Sequence, residues 1–134
     1  MHITLECDYA VRIVLCIANN KGRMFAKDIS ETTGVSLRFS LKILRKLVSG
    51  GIVKSFKGLQ GGYELAMKPE EISLYDIVEV AEGTYVFSRC LDSDYKCTKQ
   101  HEGECAPRKV YAEISEIVTQ KLKDAKISEL ICKA

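Results

Sequence analysis

The chain has 134 residues, 46% of them hydrophobic and 28% charged, with a net charge of +2, which suits one compact domain or a small domain with an added dimerisation segment. No stretch approaches the ~18 consecutive apolar residues of a membrane helix, and charged residues interrupt the apolar run at the N-terminus, unlike a signal peptide. We therefore expect a cytoplasmic protein, with no membrane partner, whose six cysteines stay reduced.

Charge is distributed unevenly along the chain. Residues 32–63 contain no Asp or Glu but six Lys or Arg side chains, whereas residues 69–94 are strongly acidic. A basic segment beside an acidic one is typical of a surface that binds a polyanion, although a solvated charged face gives the same pattern.

The first half of the chain predicts three helices. Thr4 can cap the first helix, which ends near Gly22. A short second helix covers residues 26–33 and ends at Gly34, and Ser36 caps a third helix that runs to Val48. Two helices joined by a tight turn that contains glycine form a helix-turn-helix.

The third helix carries two kinds of side chain. We expect an apolar face to pack on the first two helices, formed by Leu37, Leu41, Leu44 and Val48. A cationic stripe repeats at the same spacing, and a recognition helix needs such donors to reach DNA phosphates and base edges. The predicted DNA-contacting residues of this helix are Ser36, Arg38, Phe39, Ser40, Lys42 and Arg45.

Two β-prone runs, at residues 52–57 and 63–66, flank a glycine-rich loop and predict a hairpin. A hairpin directly after the third helix is typical of the wing in a winged helix. We expect Lys54, Lys57 and Gln60 to lie along the DNA backbone or minor groove.

The second half of the chain predicts a fourth helix over residues 70–83 and a long helix from Pro107 to about residue 125. No later helix is evident to cover the long helix, so its apolar stripe predicts a homodimer interface. This stripe contains Val110, Ile114, Ile117, Val118 and Leu122, with Tyr111 alongside. The tail after Ile127 is weakly specified.

Between these helices, a polar stretch contains Cys90, Cys97, His101 and Cys105, with the spacing C-x6-C-x3-H-x3-C. It has few residues that could seed a core, so the soft thiol ligands are better suited to binding a group than to packing. The candidates are an iron–sulfur cluster, a zinc site formed with His101, and a thiol or disulfide switch.

Several motifs closely resemble the Rrf family of winged-helix transcription regulators, which includes IscR-like and NsrR-like iron–sulfur proteins. They are the segments at residues 8–12, 36–39, 55–58 and 61–63, together with the three-cysteine loop and the final long helix. The resemblance implies a mainly α-helical winged helix-turn-helix with a small β-hairpin wing and a C-terminal dimerisation helix. It divides the chain into a DNA-binding domain (1–83), a cluster-binding loop (84–106) and a dimerisation helix with its tail (107–134).

The resemblance further implies a homodimer bound to a double-stranded DNA operator, with a cluster held by the three loop cysteines and a fourth ligand. In the NsrR-like branch that ligand is an acidic residue early in the first helix of the partner subunit, and Asp8 matches its position. The IscR-like histidine after the third cysteine is absent, and His101 precedes that cysteine instead. We favour a 4Fe-4S over a 2Fe-2S cluster, and Cys7 is a reserve ligand.

An enzyme and an electron carrier are the competing classes. The sequence has no nucleotide-binding loop, paired acid and base, or nucleophile motif. An electron carrier would not need the basic helix and wing. We therefore expect a regulator that senses redox state, nitric oxide or iron–sulfur status.

Overall fold

A computed structural model describes residues 3–99 and 105–131. It contains six α-helices and one antiparallel hairpin within these residues. They are α1 (Leu5–Asn19), α2 (Ala26–Thr33), α3 (Leu37–Ser49), β1 (Val53–Phe56), β2 (Gly62–Leu65), α4 (Leu74–Glu82), α5 (Ala106–Asp124) and α6 (Ile127–Leu130). The prediction of a mainly helical winged helix is confirmed.

Capping residues set the helix ends as the sequence indicates. The hydroxyl of Thr4 accepts a hydrogen bond from the Cys7 amide, and that of Ser36 accepts one from the Phe39 amide. Gly34 ends α2 with a φ of 74°, a conformation that glycine adopts without steric cost. The fourth helix begins at Leu74 rather than at residue 70, because Ser73 and Asp76 form a reciprocal capping box there.

The hydrophobic core lies between α1, α3 and α4. Ile13 of α1, Leu44 of α3 and Ile77 of α4 are completely buried within it. Ile29 of α2 and Val53 of β1 extend the same core. One core therefore fixes the orientation of α3 relative to the hairpin.

The hairpin is joined to the segment that precedes α2. Met24 and Tyr63 exchange backbone hydrogen bonds of 2.9 and 2.7 Å, which form a single antiparallel bridge beside the two-stranded wing. The Arg23 guanidinium lies 3.4 Å from the centroid of the Phe56 ring and donates a hydrogen bond to the Gln60 carbonyl. These contacts hold the wing in place beside the helix-turn-helix.

The apolar face predicted for α3 is wrong for three of its four residues. Leu37, Leu41 and Val48 are exposed, whereas Ser40, Ile43, Leu44 and Leu47 are buried. This face is hard to recognise in the sequence because Ser40 is polar. The Ser40 hydroxyl is nevertheless buried in the core, where it donates a 3.3 Å hydrogen bond to the Val35 carbonyl.

The C-terminal part of the chain also differs from its prediction. One side of α5 packs against α4, so the long helix does have a neighbour in its own chain. Val118 and Leu122 are half-buried, whereas Val110 and Ile117 are exposed. The apolar stripe is therefore divided between a covered side and an open one.

The segment after α5 is anchored rather than weakly specified. Ile127 is completely buried, and its amide donates a 2.8 Å hydrogen bond to the Ile72 carbonyl. The Leu74 amide donates a hydrogen bond to the Ala125 carbonyl in the same way. These bonds fasten the end of α5 to the start of α4.

Candidate DNA interface and cysteine cavity

The cationic stripe of α3 lies opposite the buried side of the helix. Arg38, Lys42 and Arg45 are all exposed, and they repeat at spacings of three and four residues. The hydrophobic contacts of Ile43 and Leu47 hold the back of the helix against the core. This arrangement presents the three cations to solvent on one side of a rigid element.

Two residues of α3 that were predicted to contact DNA are partly or completely buried by the protein itself. Ser40 is completely buried, so its predicted contact with DNA is wrong. Phe39 is half-buried, with its ring edge-on to Tyr9 at 5.6 Å between centroids. Ser36 remains exposed at the helix N-terminus, where its side chain also serves as the cap.

An ion pair joins α1 to α3 beside the cationic stripe. The Lys46 ammonium lies 2.7 Å from the Glu6 carboxylate, and that of Lys42 lies 3.8 Å from it. The hydrogen bond from Lys46 holds the pKa of Glu6 below its usual value. Lys46 also donates to the Ala81 carbonyl of α4, so this lysine connects helices and does not belong to the DNA-facing stripe.

The wing presents its polar residues to solvent. Lys54, Lys57 and Gln60 are all exposed, as predicted for residues along a DNA backbone. Gly62 has a φ of 116°, and a Cβ atom there would lie 2.7 Å from the Met24 carbonyl oxygen. Only glycine allows the wing to approach the backbone of the segment before α2 this closely.

The three loop cysteines line one cavity of about 790 Å³. Cys90 lies in a short helical turn, Cys97 is exposed in the loop, and Cys105 occupies the position just before α5. All three are free thiols. The cavity therefore brings together residues that are up to 15 positions apart in the sequence.

The wall of this cavity is attached to α5. The Arg108 guanidinium donates a hydrogen bond to the Cys90 carbonyl at 3.2 Å. The amide of Phe87 donates to the Ser115 hydroxyl, and its ring lies 5.8 Å from that of Tyr111. These contacts join the segment around Cys90 to α5.

The three cysteines are soft ligands that suit an iron–sulfur cluster or a zinc ion. Within residues 3–99 and 105–131, no three Cys, His, Asp or Glu side chains are close enough together to hold one metal ion. Three thiols around a wide cavity also leave room for a group of several atoms. Arg108 and Lys109 also line the cavity, and their charges complement an anionic cluster.

The other predicted ligands lie elsewhere. Asp8 is on the exposed side of α1, where its carboxylate forms a 2.8 Å ion pair with Arg12 and does not line the cavity. Cys7 is completely buried, and burial together with the nearby Glu82 raises the pKa of its thiol to about 11, so it is a core residue. His101 lies outside the described residues.

Two features were missed by sequence reasoning. Arg23 supports the wing through its contacts with Phe56 and Gln60, and only the fold brings these positions together. Arg108 supports the cysteine turn, although its position just after the loop was a signal that could have been used.

Among the described residues, no helix is long and apolar enough to cross a membrane.

A helix-turn-helix with an exposed cationic helix and a hairpin wing defines a DNA-binding protein of the winged-helix class. A family model for Rrf2, the iron-dependent transcriptional regulators, matches residues 3–133, and the chain belongs to this family. The chain is therefore a DNA-binding transcription regulator rather than an enzyme, as its resemblance to the family implied.

Individual relatives agree with this assignment. A helix-turn-helix transcriptional regulator of Haemophilus influenzae is 31% identical over 135 residues, which cover 99% of this chain and 88% of the relative. IscR of Aliivibrio salmonicida is 28% identical, with 98% of this chain and 77% of IscR covered. The structure of CymR, the global cysteine regulator of Bacillus subtilis, matches with a TM-score of 0.80 and 25% identity, covering 98% of this chain and 96% of CymR.

Proposed function

We propose that this regulator binds its operator as a homodimer, under the control of an iron–sulfur cluster held by Cys90, Cys97 and Cys105. The observation that carries the proposal is the single cavity that all three cysteines line. The iron-dependent regulators of its family and the resemblance to IscR support the same function. We favour a 4Fe-4S cluster, with Asp8 of the partner subunit as the fourth ligand.

A bound cluster would supply a centre that reacts with oxidants or nitric oxide, or that is lost when iron is scarce. The residues of the chain transmit its state. The cysteine loop is attached to α5, α5 packs on α4, and α4 packs on both α1 and α3. A cluster ligand from α1 would add a second connection between the cluster and α3. Asp8 lies two residues from Glu6, and Glu6 forms an ion pair with Lys46 of α3.

Anaerobic purification followed by visible absorption and by iron, sulfide and zinc analysis tests the cluster. We expect a brown protein with about four iron and four sulfide atoms per chain, the content of the 4Fe-4S type. About two of each would indicate a 2Fe-2S cluster, and one zinc per colourless chain would instead support a zinc site.

Cysteine variants test which residues hold the cluster. Cys90→Ser, Cys97→Ser and Cys105→Ser should each reduce the iron content and the visible absorption. Cys16→Ser is a matched control, because the Cys16 thiol lies beside the Met24 sulfur and outside the cavity. Equal iron content in all four variants would contradict the proposed ligand set.

A thiol switch is a second candidate, favoured by the similarity to CymR and by the exposure of Cys97. A thiol-based regulator would remain colourless after reconstitution with iron and sulfide. Its operator affinity would change upon oxidation with diamide and return upon reduction. This combination of results would support a disulfide switch in place of the proposed cluster.

A further inference from the structure

The recognition helix exposes two leucines beside its cationic stripe. Leu37 is 45% exposed and Leu41 is 40% exposed, although Leu44 on the same helix is completely buried. At 3.6 residues per turn, Leu41 lies about 40° around the helix axis from Arg45 and about 60° from Arg38. The leucines therefore belong to the same solvent-facing surface as the cations.

The two flanks of the cationic stripe differ. On one flank, Phe39 packs on Tyr9 and Lys46 pairs with Glu6, so that side is committed to α1. On the other flank, Leu37 and Leu41 remain open to solvent. Both lie in the N-terminal half of α3, the part of a recognition helix that contacts base edges.

We propose that Leu37 and Leu41 determine specificity by contacting the 5-methyl groups of thymines in the operator. This inference rests on the proposed operator binding, with α3 as the recognition helix in the major groove. The thymine methyl group is the one apolar feature that a base pair displays there, and arginine beside it reads guanine. Each half-site should consequently place thymines next to the base that Arg38 or Arg45 contacts.

Deoxyuridine substitution tests the contact, because deoxyuridine pairs as thymidine does but lacks the 5-methyl group. The probe is the duplex that the wild-type protein enriches from a randomised DNA pool, with each thymine replaced singly. For the wild-type protein, we expect about a fourfold loss of affinity at a contacted thymine, as burial of one methyl group implies.

Alanine variants assign the methyl contact to its residue. Leu41→Ala and Leu37→Ala should bind the thymine duplex more weakly, and each should lose its sensitivity to deoxyuridine at one position. Leu130→Ala is the matched control, because Leu130 is 39% exposed on α6, outside the helix-turn-helix. Leu130→Ala should keep the wild-type affinity for the thymine duplex and the wild-type loss of affinity upon deoxyuridine substitution.

The outcomes separate this inference from the proposed function. Enrichment of no duplex would contradict operator binding itself. An enriched duplex that tolerates deoxyuridine at every position, or whose loss persists in both leucine variants, would overturn the thymine contact alone. A change in sedimentation of the leucine variants without DNA would also overturn it, because the leucines would then lie between protein copies.

Discussion

Arg38 lies on the exposed side of α3, directly opposite residues that are buried in the core. Its guanidinium presents a rigid set of donors that matches the acceptors of a guanine edge. If Arg38 reads a base, Arg38→Ala should weaken operator binding by about 1–3 kcal/mol and relax specificity at one position. Fluorescence anisotropy with operator variants measures both effects, and Lys121→Ala on α5 is the control. An unchanged affinity would remove Arg38 from the interface.

We expect Lys57 to contact DNA in a different way, because it lies on the exposed wing rather than on the recognition helix. A lysine beside the phosphate backbone contributes affinity through counterion release, which does not depend on sequence. Lys57→Ala should lower affinity for operator and random DNA alike and reduce the salt slope by about 0.9. Titrations at several salt concentrations measure the slope. A loss confined to the operator would indicate base reading by Lys57 instead.

The surface residues of α3 could be predicted from the sequence more accurately than its core face. The spacing of Arg38, Lys42 and Arg45 was sufficient to place all three in solvent. Leu37 and Leu41 were assigned to the apolar face because leucine side chains are usually buried. A buried serine that bonds a backbone carbonyl is indistinguishable from an exposed one in the sequence, so the assignment failed at Ser40.

Among the elements, the wing depends on one close backbone approach. At Gly62, an added Cβ atom would meet the Met24 backbone, and the φ of 116° is itself unfavourable for other residues. Gly62→Ala should reduce the free energy of unfolding by about 3 kcal/mol and weaken DNA binding. Gly22→Ala is the matched control, because φ there is 99° but no atom lies within 4 Å of the added Cβ. Urea unfolding of both variants isolates the collision, and equal losses would mean that the wing can shift to accommodate a side chain.

Element ends were predictable where the signal is local. Ser36 and Gly34 set helix ends through contacts within three or four residues. The start of α4 was nevertheless placed four residues too early, although the Ser73–Asp76 capping box is just as local. The docking of α6 was not predictable, because the bond between Ile127 and Ile72 joins positions far apart in the sequence. The shared cavity of the three cysteines was expected only from their spacing and from the family resemblance, whereas the placement of Asp8 as a partner's ligand stays a prediction.

At the scale of the whole molecule, the cysteine cavity is connected to α3 through α5 and α4. Phe87 and Arg108 fasten the loop to α5, and Lys46 connects the end of α4 to α3. If the path transmits the cluster state, Phe87→Ala should leave the iron content unchanged and reduce the difference in operator affinity between the cluster-bound and cluster-free proteins. Iron analysis and anisotropy on the same samples measure the two quantities. If the Phe87→Ala variant keeps the full wild-type difference in operator affinity, the cluster state is transmitted through another connection, for example through Asp8.

In the proposed homodimer, the open side of α5 would pair two copies of the chain on one operator. Val110 is 51% exposed and Ile117 is 69% exposed, and their separation of seven residues places both on one face of this helix. Because Ile117 has little contact with its own chain, Ile117→Lys should leave the fold of each subunit unchanged while it places an unpaired charge in the proposed dimer interface. Sedimentation velocity should show a shift from dimer to monomer, and operator affinity should fall because two half-sites are no longer bound together. Glu116→Lys, at the adjacent exposed position, introduces the same side chain outside the apolar strip and should remain dimeric. If both variants sediment as the wild-type protein does, α5 is not the dimer interface, and the pairing of two recognition helices must depend on another surface.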